Sequence, residues 1–90
     1  MTWTLRFQPS AIRSLDELPE KVAAAVVEFI TVTLPTNPER MSKPLRGDLE
    51  GLRSARRGDY RVLLRLDPND TIVIIRVAHR AHAYRHDNRP

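Results

Sequence analysis

The C-terminal third of the chain restricts the fold more than any other segment does. After Gly51, apolar and charged residues alternate in three runs, which are separated by tight turns at Gly58-Asp59 and Pro68-Asn69-Asp70. Alternation with period two predicts strands. The predicted strands run from about Leu52 to Arg57, Tyr60 to Asp67 and Thr71 to His79. Turns this short join neighbouring antiparallel strands, so the sequence predicts a three-stranded meander.

The last of these strands has apolar residues on both sides. Simple pleating puts Val73, Ile75 and Val77 on one face and Ile72 and Ile74 on the other. A strand that is buried on both faces lies inside a sheet and not at its edge. We therefore predict a central position for it.

The N-terminal half adds one strand and two helices. Residues 3–7 read Trp-Thr-Leu-Arg-Phe, an alternation that predicts a half-buried strand in the same sheet. A short helix follows with Ser10 as its N-cap, and a second helix runs from Pro19 to about Leu34. The segment from Pro35 to Pro44 holds three prolines and is predicted to be a connecting loop. The predicted fold is α+β, with a two-helix antiparallel hairpin packed on one face of the sheet.

Length and composition describe one small domain. Ninety residues suffice for one modest core. The chain has no cysteine, no apolar run after a basic start, and no apolar stretch long enough to span a bilayer. We expect a cytoplasmic protein with a single domain at residues 1–86 and a frayed C-terminal tail at 87–90.

Positive charge is concentrated in the second half of the chain. Residues 43–90 carry eleven basic and six acidic side chains, whereas residues 1–42 have a net charge of −1. Only Lys21 and Lys43 are lysines among the fifteen basic residues. Arginine offers phosphate a planar fork of donors and keeps its charge, whereas a merely solubilising surface would mix lysine with glutamate. The pattern favours an anionic partner such as nucleic acid.

Three sequence elements together resemble the RelE/ParE toxin superfamily. They are KPLRG at residues 43–47, RRGDYRVLLRLD at 56–67 and VAHRAHAYR at 77–85. The resemblance covers essentially the whole chain and points to the RelE branch of type II toxin–antitoxin systems. It implies a small, metal-independent endoribonuclease that cuts mRNA on the ribosome, inhibits translation and is silenced by a cognate antitoxin in a hetero-oligomer.

The resemblance also implies a site. Arg61 and Arg80 correspond to arginines that stabilise the phosphorane, and Tyr84 corresponds to an aromatic residue that transfers a proton or stacks on a base. His79 and His82 are further candidates for proton transfer, because histidine titrates near neutral pH. The expected RNA contacts are Lys43, Arg46, Arg53, Arg56 and Arg57.

The chain departs from the family pattern at two positions. The well-studied toxin has lysines where this sequence has Leu52 and Ser54. Arg53 can replace part of the charge but not a lysine's ability to lose a proton, so the departure concerns the cleavage rate more than RNA binding. His79 and His82 lack a third ligand at a sensible spacing, so we expect neither a metal nor another cofactor.

Other interpretations of the same residues stay open. A ParE-like protein would share the fold and inhibit DNA gyrase without nuclease activity, and a third possibility is an RNA-binding relative with weakened catalysis. The set of Arg61, Arg80 and Tyr84 favours the ribonuclease. Arg65 shares a strand face with Arg61 and is expected to pair with an aspartate, Asp59 or Asp67.

Overall fold

Residues 2–81 of the chain are described by a computed structural model. The strands are β1 (Thr4–Phe7), β2 (Ser42–Pro44), β3 (Arg53–Arg57), β4 (Tyr60–Asp67) and β5 (Thr71–His79). The helices are α1 (Pro9–Asp16), α2 (Glu20–Glu28) and α3 (Pro38–Met41). The predicted tail at 87–90 lies outside the described residues.

One five-stranded sheet has the order β1-β5-β4-β3-β2. The antiparallel meander of β3, β4 and β5 is confirmed, and the bounds of β4 and β5 agree with the prediction. In the turn between them, Asn69 and Asp70 have φ angles of 68° and 54°. Asn and Asp tolerate this left-handed region better than most residues do, so the turn forms without glycine.

The N-terminal strand lies in the same sheet, as predicted, and pairs parallel to β5. Since β4 pairs with the other edge of β5, that strand is enclosed on both edges, and its predicted interior position is confirmed. Ile72, Val73 and Ile74 are fully buried there. Burial on both faces explains why the segment lacks a polar side.

The predicted faces of β5 are wrong beyond Ile74. Successive residues of β4 pair with Ile74 and Arg76, so Ile75 is an extra residue, a β-bulge. The bulge reverses the alternation, and Val77 therefore joins Ile74 in the core and not Val73 on the opposite side. Period-two alternation cannot reveal one inserted residue, because both faces of this strand are apolar.

Helices α1 and α2 bury their apolar residues against one face of the sheet, as predicted. The shared core comprises Ala11, Val26, Phe29, Ile30, Leu34, Ala55, Val62, Leu64, Ile72, Ile74 and Val77. Complete burial of each Leu, Ile or Val side chain stabilises the fold by about 1.5–3 kcal/mol. Within residues 2–81, no helix is long and apolar enough to cross a membrane.

Helix α1 lies along the part of β5 that β1 leaves unpaired. The pairing with β1 ends at Ile74. Beyond it, the Ser10 hydroxyl donates to the carbonyl of Ile75 at 2.6 Å, and the N–H of Val77 donates to the Ser14 hydroxyl at 2.9 Å. The two serines are one helical turn apart and face the same side. They complete the hydrogen bonding of a strand edge that would otherwise lack partners.

Two local predictions are wrong. Ser10 is not the N-cap, because α1 begins at Pro9 and Gln8 occupies the capping position. Residues 35–44 are not a simple loop: α2 continues through a π-helical and a 3₁₀ turn to Thr36, and α3 and β2 follow. The prolines fit these elements, since Pro38 opens α3 and Pro44 lies on an edge strand.

The serine contacts of α1 give a testable stability prediction. Replacing Ser14 by alanine leaves the buried N–H of Val77 without its acceptor. We expect the free energy of unfolding in urea to fall by about 1–3 kcal/mol. Thr31→Ala is the control, because that exposed hydroxyl bonds only within its own helix. Equal effects of the two substitutions would contradict the role assigned to Ser14.

Candidate nucleic-acid interface

A cleft of about 390 Å³ lies beside β2, β3 and β4. Its lining comes from the end of α3, from β2 and the residue after it, and from the strand positions that face away from the core. The lining residues are Arg40, Met41, Lys43, Pro44, Leu45, Ser54, Arg56 and Arg61. Four of these described residues are cationic and none is acidic, so the electrostatic potential of the cleft favours an anion.

Cross-strand pairing explains why these side chains meet. Lys43 on β2 pairs with Ser54 on β3, and Arg56 on β3 pairs with Arg61 on β4. Directly opposed residues on one face have Cβ atoms about 4.5–5.5 Å apart. Two like charges placed directly opposite each other destabilise a sheet, so Arg56 and Arg61 lower its stability unless an anion lies between them.

Arg61 is the least exposed cation of the cleft. Its side chain is half-buried, and its Nη1 atom is buried with no hydrogen-bond partner in the part of the chain that the structure describes. A buried charged donor without an acceptor is costly, and folded proteins rarely retain one without a reason. A phosphate oxygen in the cleft would be a charge-assisted acceptor for this nitrogen.

The other cations of the cleft are exposed to solvent. Lys43 lies on the edge strand, Arg40 lies in the last turn of α3, and Arg56 is exposed on β3. Arg56 donates one hydrogen bond, from Nε to the Gly58 carbonyl at 3.4 Å. One half-buried arginine therefore lies among exposed cations that can adjust to a bound anion.

Arg53 is held within the protein and lies outside the cleft. Its Nε donates to the Ser42 hydroxyl at 2.7 Å, and its Nη2 donates to the carbonyls of Ser42 and Glu39, each at 3.1 Å. The Ser42 hydroxyl in turn donates to the Pro38 carbonyl at 2.6 Å. These bonds connect β3 to β2 and to the C-terminal end of α3. The helix dipole makes a cation favourable at that end. Its predicted RNA contact stays a prediction.

Two other predicted RNA contacts also lie away from the cleft. Arg57 lines a separate depression beside α2, together with Lys21 and Val22. Arg46 is exposed and precedes the short 3₁₀ turn at Gly47–Leu49. Among the five predicted RNA contacts, the structure brings only Lys43 and Arg56 into the cleft with Arg61.

Arg80 lies just beyond β5 and is exposed. Its backbone N–H donates to the Asp59 carbonyl at 2.7 Å, so antiparallel pairing continues one step past the strand. Arg61 pairs with Ala78, and residue 80 is two positions further along. Its backbone position therefore lies on the same face of the sheet as Arg61. Arg80 does not line the cleft.

The candidate residues for proton transfer are only partly placed. His79 pairs with Tyr60, and their rings meet edge to face with centroids 5.4 Å apart. Tyr60 packs against the core, so His79 lies towards the helical side and not beside Arg61. His82 and Tyr84 lie outside the described residues. Within residues 2–81, no three His, Asp or Glu side chains come together as a metal site.

Arg65 lies on the same face of β4 as Arg61 but has an acidic partner. Its Nε and Nη2 donate to the two carboxylate oxygens of Asp67, at 2.6 and 3.1 Å. This bond lowers the pKa of Asp67 and raises the pKa of Arg65, and the nearby charge of Arg6 adds to the effect on Asp67. The predicted pairing with an aspartate is confirmed, and Arg65 is a natural control for Arg61.

The sequence predictions omitted Arg40 and Ser54 from the site. Arg40 reaches the cleft only because α3 forms, and the signal for α3 was the Asn37-Pro38 pair. Asn37 accepts a hydrogen bond from the backbone N–H of Arg40 at 3.2 Å, and proline suits the first position of a helix. Counting prolines as loop signals concealed this pattern.

Comparisons with known proteins give a consistent result. A family model described as "ParE toxin of type II toxin-antitoxin system, parDE" matches residues 5–84. The chain is 54% identical to "Toxin RelE" of Mycobacterium tuberculosis over 77 residues, which are 84% of this chain and 79% of that protein. It is 51% identical to "Toxin RelG" of the same organism over 86 residues, covering 94% and 99%.

A solved structure supports the same relationship. It is the toxin–antitoxin complex RelBE2 from Mycobacterium tuberculosis, one chain of which matches with a TM-score of 0.84 and 49% identity. The match covers 88% of this chain and 99% of that one.

The unpartnered nitrogen of Arg61 leads to a prediction about stability. Replacing Arg61 by leucine removes a buried donor without an acceptor and the like-charge pair with Arg56. We expect the free energy of unfolding to rise by about 1 kcal/mol in low-salt buffer without phosphate or sulfate. Arg65→Leu, which breaks the bond to Asp67, should not stabilise the protein. A loss of stability in the Arg61 variant would contradict our interpretation of this residue.

Proposed function

The chain belongs to the RelE/ParE superfamily of type II toxin–antitoxin toxins, and from this membership we propose that it is a ribosome-dependent mRNA endoribonuclease that inhibits translation. The observation that carries the proposal is the buried, unpartnered Nη1 of Arg61 in an acid-free cationic cleft. A phosphodiester supplies the acceptor and the negative charge that this cleft lacks.

Metal-independent cleavage of RNA has three requirements. A group must accept the proton of the 2′-hydroxyl, positive charge must stabilise the phosphorane, and a group must protonate the 5′-oxygen that leaves. Arg61 and Arg80 supply permanent charge with fixed donors. Tyr84 and His82 are our candidates for proton transfer, whereas His79, which packs on Tyr60 on the helical side, is no longer one. Orientation of the mRNA within the ribosome contributes further, because positioning alone removes a large part of such a barrier.

The cationic cleft also suggests how the protein is silenced. We propose a cognate antitoxin whose acid-rich, amphipathic segment covers or distorts the cleft, in a toxin–antitoxin hetero-oligomer. The structure of RelBE2 from M. tuberculosis, to which this chain is similar, is that of a toxin–antitoxin complex. Because the proposed target is mRNA on the ribosome, we place the protein in the cytoplasm.

A second function has its own supporting observation. The matching family model is described by the name ParE, so a ParE-like inhibitor of DNA gyrase without nuclease activity is the competing candidate. The departures at Leu52 and Ser54 also allow an RNA-binding member with weakened catalysis. Both alternatives would use the same cationic cleft as the nuclease. They differ from it because the gyrase inhibitor does not cleave mRNA and the weakened member cleaves it poorly.

Induction in a bacterial host, followed by mapping of new 5′ ends in cellular RNA, separates these functions. New ends within translated codons, without trapped gyrase, are the result that we expect. Intact mRNA together with an SOS response would favour the gyrase inhibitor. Intact mRNA with RNA binding and no SOS response would identify the weakened member. Harmless overproduction without any antitoxin would count against a fully active toxin.

The two arginines provide a sharper prediction. Replacing Arg61 or Arg80 by lysine should impair cleavage although the positive charge is kept, because a single ammonium cannot reproduce two fixed donors. Each substitution should lower the cleavage rate by on the order of a hundredfold, as removal of one preorganised donor does elsewhere. RNA binding should weaken far less, because the remaining cations still neutralise the backbone.

The matched control is Arg65→Ala, on the same face of β4 as Arg61 but already bonded to Asp67. Its toxicity and mRNA cleavage should match those of the unaltered protein. If the Arg65 variant lost cleavage while Arg61→Ala and Arg80→Ala kept it, the assignment of the site would be wrong.

A further inference from the structure

One lysine lies among the arginines of the cleft. The chain has two lysines, and of the described residues that line the cleft Lys43 is the single one. Lys21 lies on α2 and lines a depression on the helical side. An arginine keeps its proton at any working pH, whereas a lysine can give its proton away. The position of Lys43 is therefore chemically distinct from those of Arg40, Arg56 and Arg61.

The register puts Lys43 and Arg61 on opposite sides of β3. Lys43 pairs with Ser54 from one neighbouring strand, and Arg61 pairs with Arg56 from the other. The two residues are therefore two strand spacings apart, roughly 10 Å, and offset by two residues along β3, a separation that two long side chains can span towards a ligand between them. Between them, Ser54 has a short side chain that leaves room above the sheet. A phosphate above Ser54 can thus contact the ammonium and the guanidinium together.

The backbone at Lys43 is held in place. The next residue is Pro44, which restricts Lys43 to an extended conformation. The preceding residue, Ser42, is buried and receives two hydrogen bonds from Arg53. The side chain is flexible, but the strand that carries it is fixed against β3. These contacts also give Arg53 a role in positioning Lys43.

We propose that Lys43 is a catalytic residue that protonates the leaving 5′-oxygen during RNA cleavage. This inference rests on the proposed ribonuclease function. The 2′-oxygen forms a bond to phosphorus, and its proton passes to the general base of the proposed mechanism or to hydroxide from the solvent. The bond from phosphorus to the 5′-oxygen breaks, and that oxygen keeps the electron pair and takes a proton from the Lys43 ammonium. The products are a 2′,3′-cyclic phosphate and a 5′-hydroxyl. Exposure of Lys43 allows water to return its proton.

The leaving group provides the test. Single-turnover cleavage is measured on ribosome-bound mRNA with the ordinary 5′-oxygen and on ribosome-bound mRNA with sulfur at that bridging position, because a thiolate leaves without protonation. With oxygen, Lys43→Ala and Lys43→Arg should each be slower by on the order of a hundredfold, the usual contribution of a general acid. With sulfur, the same variants should come within about threefold of the unaltered protein, since no general acid is then needed.

Lys21→Ala, the matched control, should cleave both substrates like the unaltered protein. The inference is overturned if Lys43→Arg cleaves the ordinary substrate at the unaltered rate, because charge alone would then suffice. It is also overturned if the loss is equal on the oxygen and sulfur substrates. If the unaltered protein cleaves neither substrate, the proposed function fails as well, whereas an active protein with active Lys43 variants removes only the role of Lys43.

Discussion

The registers of β3 with β2 and with β4 are the constraint on which both the core and the cleft depend. On β4, Val62 and Leu64 pack into the core while Arg61 and Arg65 face the other way. A shift of one residue would send the arginines under the helices and the apolar residues into water. The same pairing that builds the core therefore determines which cations meet in the cleft.

The arrangement of cations in the cleft is unfavourable for stability as long as no anion is bound. Arg56 opposes Arg61 directly, and a buried nitrogen of Arg61 has no acceptor among the described residues. Nearby, Arg53 and Arg65 are satisfied by Ser42 and Asp67. Arg53 and Arg65 therefore have hydrogen-bond acceptors, whereas this nitrogen of Arg61 has none among the described residues, although Asp67 lies on the same strand. This difference between otherwise similar arginines is what identifies a binding site, since net charge alone does not.

The sequence was most informative where structure is local. The bounds of β4 and β5 follow from alternation and turn residues that act over a few positions, and both were predicted correctly. The short helix α3 was missed although its signal, Asn37-Pro38, is local. The bulge at Ile75 and the pairing of β2 were missed because each depends on partners distant in the sequence. For the same reason, a list of basic residues could not separate Arg56, which lines the cleft, from Arg53, which fastens two strands together.

The central claim is that the phosphodiester backbone of RNA occupies the cleft at Arg61. The most direct measurement is a titration of the protein with a short RNA made uncleavable by a 2′-deoxy sugar, followed by NMR of the arginine Nε–H groups. We expect the Arg61 and Arg56 signals to shift together at the same RNA concentration, while the Arg65 signal, held by Asp67, stays in place. Shifts confined to Arg57, on the helical side, would contradict it.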